Sequence, residues 1–102
     1  MAIGKLGAAD LAANANTTIY NPTGVAGTVT LSLCNRTANG ALVRVALAAA
    51  AAPTAAEWLE YDYYLGPNAV LERSAIVVGP GQHLVARANA AGVSAVAFGF
   101  ED

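Results

Sequence analysis

Between Thr28 and Arg36 the chain alternates without a break: Val29, Leu31 and Leu33 fall on one side, and Thr28, Thr30, Ser32 and Cys34 on the other. Alternate side chains of a strand point to opposite faces, so this run predicts a half-buried β-strand. Asn39-Gly40 follows as a tight-turn signal, and the next run sets Val43, Val45 and Leu47 against Leu42, Arg44 and Ala46. Together the two runs predict a hairpin. Upstream, Thr17-Thr-Ile-Tyr20 is a short β-prone run closed by Asn21-Pro-Thr-Gly24, where Pro fixes φ and Gly permits its positive range.

Downstream, Ala48 to Ala56 is alanine-rich around Pro53, and Thr54 with Glu57 three residues on matches a capping box, enough for a single helical turn. Trp58 to Leu65 then puts Leu59, Tyr61, Tyr63 and Leu65 on one face and stops at Gly66-Pro-Asn68, as a strand entering a turn does, with helix as the competing assignment. Val70 to Val78 ends at Gly79-Pro-Gly81, and His83 to Ala88 and Val93 to Phe100 flank Asn89-Ala-Ala-Gly92. About seven short strands with regular turn signals predict an all-β fold, an antiparallel β-sandwich with Greek-key wiring. Its expected core is Val29, Leu31, Leu33, Val43, Val45, Leu47, Leu59, Tyr61, Leu71, Leu84, Val96 and Phe98. Residues 1–16, mostly Ala, Gly and Asn with scattered Ile3, Leu6 and Leu11, carry no clear period and are expected to form an N-terminal arm ahead of a 17–102 domain.

Composition changes what the strands are for. Charged residues make up 12% of the chain, whereas the wet faces of a free-standing domain are roughly a quarter to a third charged. A chain like this spends its life covered by neighbours, unless alanine-rich coding alone has replaced its surface Lys and Glu. A net charge of −2 with five scattered Lys and Arg offers no basic footprint, so nucleic acid is not an expected partner. The longest apolar stretch, Ala41 to Ala52, is broken by Arg44 and falls well short of the roughly 18 residues of a membrane span. Met1 to Lys5 lacks the basic start and apolar run of a secretory signal, and a lone Cys34 forms no internal disulfide. Synthesis in a reducing cytoplasm is the expected context.

The chemistry-bearing side chains are sparse. His83 and Cys34 stand alone, and neither Ser74 nor Ser94 sits on a nucleophile elbow, so no hydrolase is expected. Glu57, Glu60 and Asp62 cluster, with Glu60 and Asp62 two apart, a spacing that suits a cation site or a glycosidase pair; Asp10 and Glu72 are possible additions. No calcium-loop motif accompanies them, and ion pairing with Arg36, Arg44 or Arg73 is the more ordinary expectation. No cofactor or metal is expected. Among the aromatics, Trp58 and Tyr64 share one face of their strand and Tyr61 and Tyr63 the other. One pair is expected to fill the core and the other to meet a partner or stack on a sugar ring.

The succession Thr17-Thr-Ile-Tyr20, Val29-Thr-Leu-Ser-Leu-Cys-Asn-Arg36, Leu59-Glu-Tyr-Asp62, Val70-Leu-Glu-Arg73 and Phe98-Gly-Phe-Glu-Asp102 resembles small virion structural proteins of tailed bacteriophages. The resemblance covers almost the whole chain and rests on structural signatures, not a catalytic motif. It departs at Asn21-Pro-Thr-Gly24 and Val25-Ala-Gly27, where that family has a Pro-Ala-Gly-type turn. It implies a β-sandwich displayed in many copies on the particle. The expected function is therefore a non-enzymatic capsid decoration or cement protein, a homo-oligomer bound to the major capsid protein through Ile3, Leu6, Leu11, Trp58 and Tyr64. A neck or tail-fibre adaptor is one alternative, and a glycan-binding module is another.

Overall fold

The alternating run becomes strand β3 (Gly27–Asn35), in which Gly27, Val29, Leu31, Leu33 and Asn35 are buried and the residues between them half-exposed. The computed structural model describes residues 2–102. Around β3 lie β1 (Ala2–Leu11), β2 (Thr17–Tyr20), β4 (Ala41–Ala48), β5 (Trp58–Leu65), β6 (Val70–Val78), β7 (His83–Ala88) and β8 (Val93–Glu101). Trp58–Leu65 is thus a strand and not a helix. A 3₁₀ turn at Ala55–Glu57 precedes it, where the Glu57 carboxylate accepts from the Thr54 and Ala49 amides.

The strands form two four-stranded sheets, β1-β8-β3-β6 and β2-β7-β4-β5. The pairs β1–β8, β2–β7, β3–β6 and β4–β5 are all antiparallel, so the two halves of the chain lie along each other like one long hairpin. Pairing of β8 with β3 and of β7 with β4 rolls that hairpin into a sandwich. This is the connectivity of a jelly roll, the double Greek key.

Three expectations need correction. Residues 2–11 of the expected arm form β1, an edge strand of the first sheet, which raises the strand number from seven to eight. Leu6 and Ala9 pack against the core and Leu11 is buried in it. The small residues of this segment carry the reason: a Cβ at Gly7 would lie 1.8 Å from the Ile19 carbonyl oxygen, so only glycine lets β1 close over β2. Second, β3 and β4 do not pair. They belong to opposite sheets, and Arg36–Gly40 arches between them.

Third, the core is drawn partly from other residues. Val29, Leu31, Leu33, Val43, Val45 and Leu84 are buried as expected, while Leu47 and Leu71 are half-buried against the core. On β8 the inner positions are Val93, Ala95 and Ala97, leaving Val96 half-exposed and Phe98 exposed. Ala95 lies opposite Leu33 and Ala97 opposite Leu31, so the large residues of β3 fill the space and small ones complete the layer. Leu59 and Tyr61 are exposed because β5 is bulged: its register against β4 shifts between Val43 and Val45 and again between Val45 and Ala46. Asp62, at φ 51°, occupies the left-handed region within the first bulge.

Candidate functional site

The bulges of β5 decide which aromatics meet. On the outer face of the second sheet, β4 and β7 set Arg44 opposite Arg87 and Ala46 opposite Val85, and β5 brings Trp58 next to Ala46. Ala46, Ala48 and Val85 are fully covered although they face outward, because Trp58 packs over them. Tyr61 meets Trp58 edge-on, with ring centroids 5.5 Å apart. The Arg44 guanidinium lies 4.1 Å from the Tyr61 ring centroid and 5.7 Å from that of Trp58. An open cleft of about 340 Å³ lies against Ala55, Trp58 and Tyr61.

The charges here are held by geometry. Arg44 Nε donates to Asp62 at 2.7 Å, which holds the Asp62 carboxyl below the usual carboxylate range and raises the guanidinium. Arg87, directly across from Arg44, makes no ion pair among the described residues. The arrangement offers two ring faces and a cation, which suits stacking on a flat or ring-shaped group. Sequence reasoning paired Trp58 with Tyr64. The two do share the outer face, but Tyr64 lies farther along, opposite Leu42 and over Gly40, and it is Tyr61 that joins Trp58. Nothing in the spacing of residues 58 to 65 reports a bulge, so the meeting of Trp58 with Tyr61 and Arg44 left no signal in the sequence.

The outer face of the first sheet is different in kind. Strand registers align its side chains in rows, beginning with Ile3, Phe100, Thr28 and Val77, then Lys5, Phe98 and Thr30. Ala8, Val96, Ser32 and Glu72 come next, and Asp10, Ser94, Cys34 and Val70 end the face. Ile3 is 80% exposed, Val77 59% and Phe100 45%. Of the residues expected to contact a partner, Ile3 is on this surface, Leu6 is half-buried beneath it and Leu11 is in the core.

The expected ion pairs form as Glu60–Arg73 at 2.6 Å, Asp62–Arg44 and Asp10–Arg36. The first of these joins β5 to β6 and so ties the two sheets along one open edge. His83 Nδ1 lies 3.1 Å from the Thr18 hydroxyl, and Cys34 is half-exposed on the first sheet. Among the described residues no group of three or more His, Cys, Asp and Glu could hold a metal ion, and no helix is long and apolar enough to cross a membrane. No family model, curated protein or solved structure matches the chain.

Proposed function

We propose that the chain is a non-enzymatic structural subunit of a tailed-phage virion, a capsid decoration or cement protein carried in many copies. The observation behind this is the state of the two outer sheet faces. In a chain with 12% charged residues, Ile3, Val77, Tyr61 and Tyr64 are each more than half exposed, where a free-standing domain carries Lys and Glu. Exposed apolar surface of this kind marks interaction sites. The jelly roll adds support by analogy alone, since viral capsid domains use it, as do lectins and cupins.

On this reading the protein is made in the host cytoplasm and ends in the virion, against the major capsid protein. Its chemistry is burial of area: a standard interface of about 1,600 Å² per contact suffices, and many copies make modest contacts adequate. Trp58 and Tyr64 on one face and Ile3 on the other are the contact residues. Mass spectrometric copy counting in purified particles tests the proposal. Hundreds of copies support it, roughly a dozen would move the protein to a neck or tail-fibre ring, and absence from the particle would overturn both. The Trp58–Tyr61 cleft favours one further reading, a glycan-binding module, which a glycan array with the Trp58→Ala variant as control decides.

A further inference from the structure

Three charged side chains stand in the rows across the outer face of the first sheet: Lys5, Asp10 and Glu72. Asp10 is already neutralised by Arg36 at 2.5 Å. Lys5 and Glu72, both exposed, make no ion pair among the described residues. They lie on the two edge strands, β1 and β6, with β8 and β3 between them. Three strand spacings put them roughly 14 Å apart across the sheet, too far to pair within one chain.

We propose that this face binds the same face of a second copy of the chain, about a two-fold axis running along the strands between β8 and β3. That rotation lays β1 of one copy over β6 of the other. Lys5 then meets Glu72 of the second copy, and Glu72 meets the second copy's Lys5, as an isologous interface requires. Lys5 shares its row with Thr30, and Glu72 shares its row with Ser32, so the offset along the strands is two residues, roughly 7 Å. Facing sheets pack roughly 10 Å apart, and the two long side chains together span that separation and offset.

Around these charges the surface is what a sheet-to-sheet contact needs: Ile3, Val77, Phe98 and Phe100 toward one end, with small hydroxyls and Val96 elsewhere. Four strands of nine or ten residues present roughly 600 Å² per copy, about 1,200 Å² for the pair, which reaches the lower bound of a specific interface. The dimer leaves both Trp58–Tyr64 faces outward and free. The inference rests on the assembly reading in one respect, that the bare sheet face is a contact surface; it names the occupant.

Sedimentation velocity of the full chain at tens of micromolar tests it. The expected species has twice the 10.2 kDa chain mass. Val77→Glu, at a position open to solvent, is expected to give a folded monomer by circular dichroism, with Ile3→Glu as a second variant to the same end. Lys5→Glu and Glu72→Lys are each expected to weaken dimerisation about tenfold or more by facing like charges. The Lys5→Glu/Glu72→Lys double variant is expected to restore it. A monomeric wild type, or a double variant as weak as the singles, overturns the inference. Copy number in particles is scored in parallel. A monomer that still enters particles sinks the dimer and leaves the assembly reading standing, and a dimer absent from particles does the reverse.

Discussion

Replacing Asn35 with Ala is expected to lower stability by about 3–4 kcal/mol. Asn35 is the one buried polar residue in the described chain, at 0% exposure. Its Nδ2 donates to the carbonyls of Asn39 at 2.8 Å, Leu65 at 3.1 Å and Gly66 at 3.1 Å, so one of two N–H groups is shared. Its Oδ1 accepts from the Thr37 amide at 3.0 Å and the Thr37 hydroxyl at 2.8 Å. One side chain thus ties the arch after β3 to the end of β5 and the turn before β6. On truncation the Gly66 carbonyl keeps the Ala69 amide and the Asn39 carbonyl keeps the Thr37 hydroxyl, but the Thr37 amide loses its side-chain acceptor. Three to four net hydrogen bonds disappear, each worth about 1 kcal/mol, which yields the figure above. For a domain of this size it lowers the Tm by roughly 12–30 °C. The assay is urea unfolding followed by Trp58 fluorescence, with a thermal melt beside it. Asn35→Asp sharpens the test: a carboxylate facing three carbonyls has its pKa raised, so its penalty is absent below its ordinary pKa of about 4 and grows as pH rises. An Asn35→Ala protein within about 1 kcal/mol of wild type would refute the reasoning.

Gly7→Ala is expected to cost about 2–3 kcal/mol in urea unfolding, since its Cβ would overlap the Ile19 carbonyl, while Gly66→Ala, whose nearest neighbour would be 3.8 Å away, stays within about 0.5 kcal/mol. Glu101 is held below its ordinary 4.5 first by the Tyr20 hydroxyl and then by Thr23 and Gly24, and Glu57 and Asp62 are lowered as well. A lowered carboxyl stabilises above its unfolded pKa and loses that contribution as pH falls through the folded one, so thermal midpoints are expected to drop below about pH 4.5, and Tyr20→Phe to raise the Glu101 titration seen by NMR. Trp58→Ala is expected to cost about 2 kcal/mol by uncovering Ala46, Ala48 and Val85, whereas exposed Tyr61→Ala is near neutral in stability while removing one wall of the cleft.

Where the pattern was strictly periodic, sequence and structure agree. Strands β3 and β4 alternate over most of their length, and Val29, Leu31, Leu33, Val43 and Val45 are buried. The disagreements have separate physical origins. In β8 both faces are apolar, so alternation alone does not decide between Val96 with Phe98 and Val93 with Ala95 and Ala97; the register does, setting Ala97 beside Leu31 and Ala95 beside Leu33 on the inner face. In β5 two register shifts reverse the alternation, and a bulge leaves no signature in residue spacing when its left-handed position is Asp62 and not glycine. In β1 the absence of large side chains read as absence of structure, although smallness is what lets the Ile19 carbonyl approach Gly7.

The candidate surfaces were legible as a quantity but not as a place. A charge content of 12% already implies more apolar exposure than a solitary domain carries, yet it does not say which side of which sheet is exposed. Rolling the hairpin decides that. It brings Lys5 and Glu72, from opposite halves of the chain, onto one face, and it carries the β4–β5 connection to the other, where Trp58 covers Ala46, Ala48 and Val85. One outer face therefore has its own small apolar cluster under a local cover. The other has a row of Ile3, Phe100 and Val77 with no side chain like Trp58 packed over it among the described residues, and all three are exposed. An asymmetry of this kind gives the sandwich a polarity: the bare face suits burial of area against another sheet, and the aromatic face, with Arg44 beside its rings and Arg87 across from Arg44, suits a partner that brings polar groups to them.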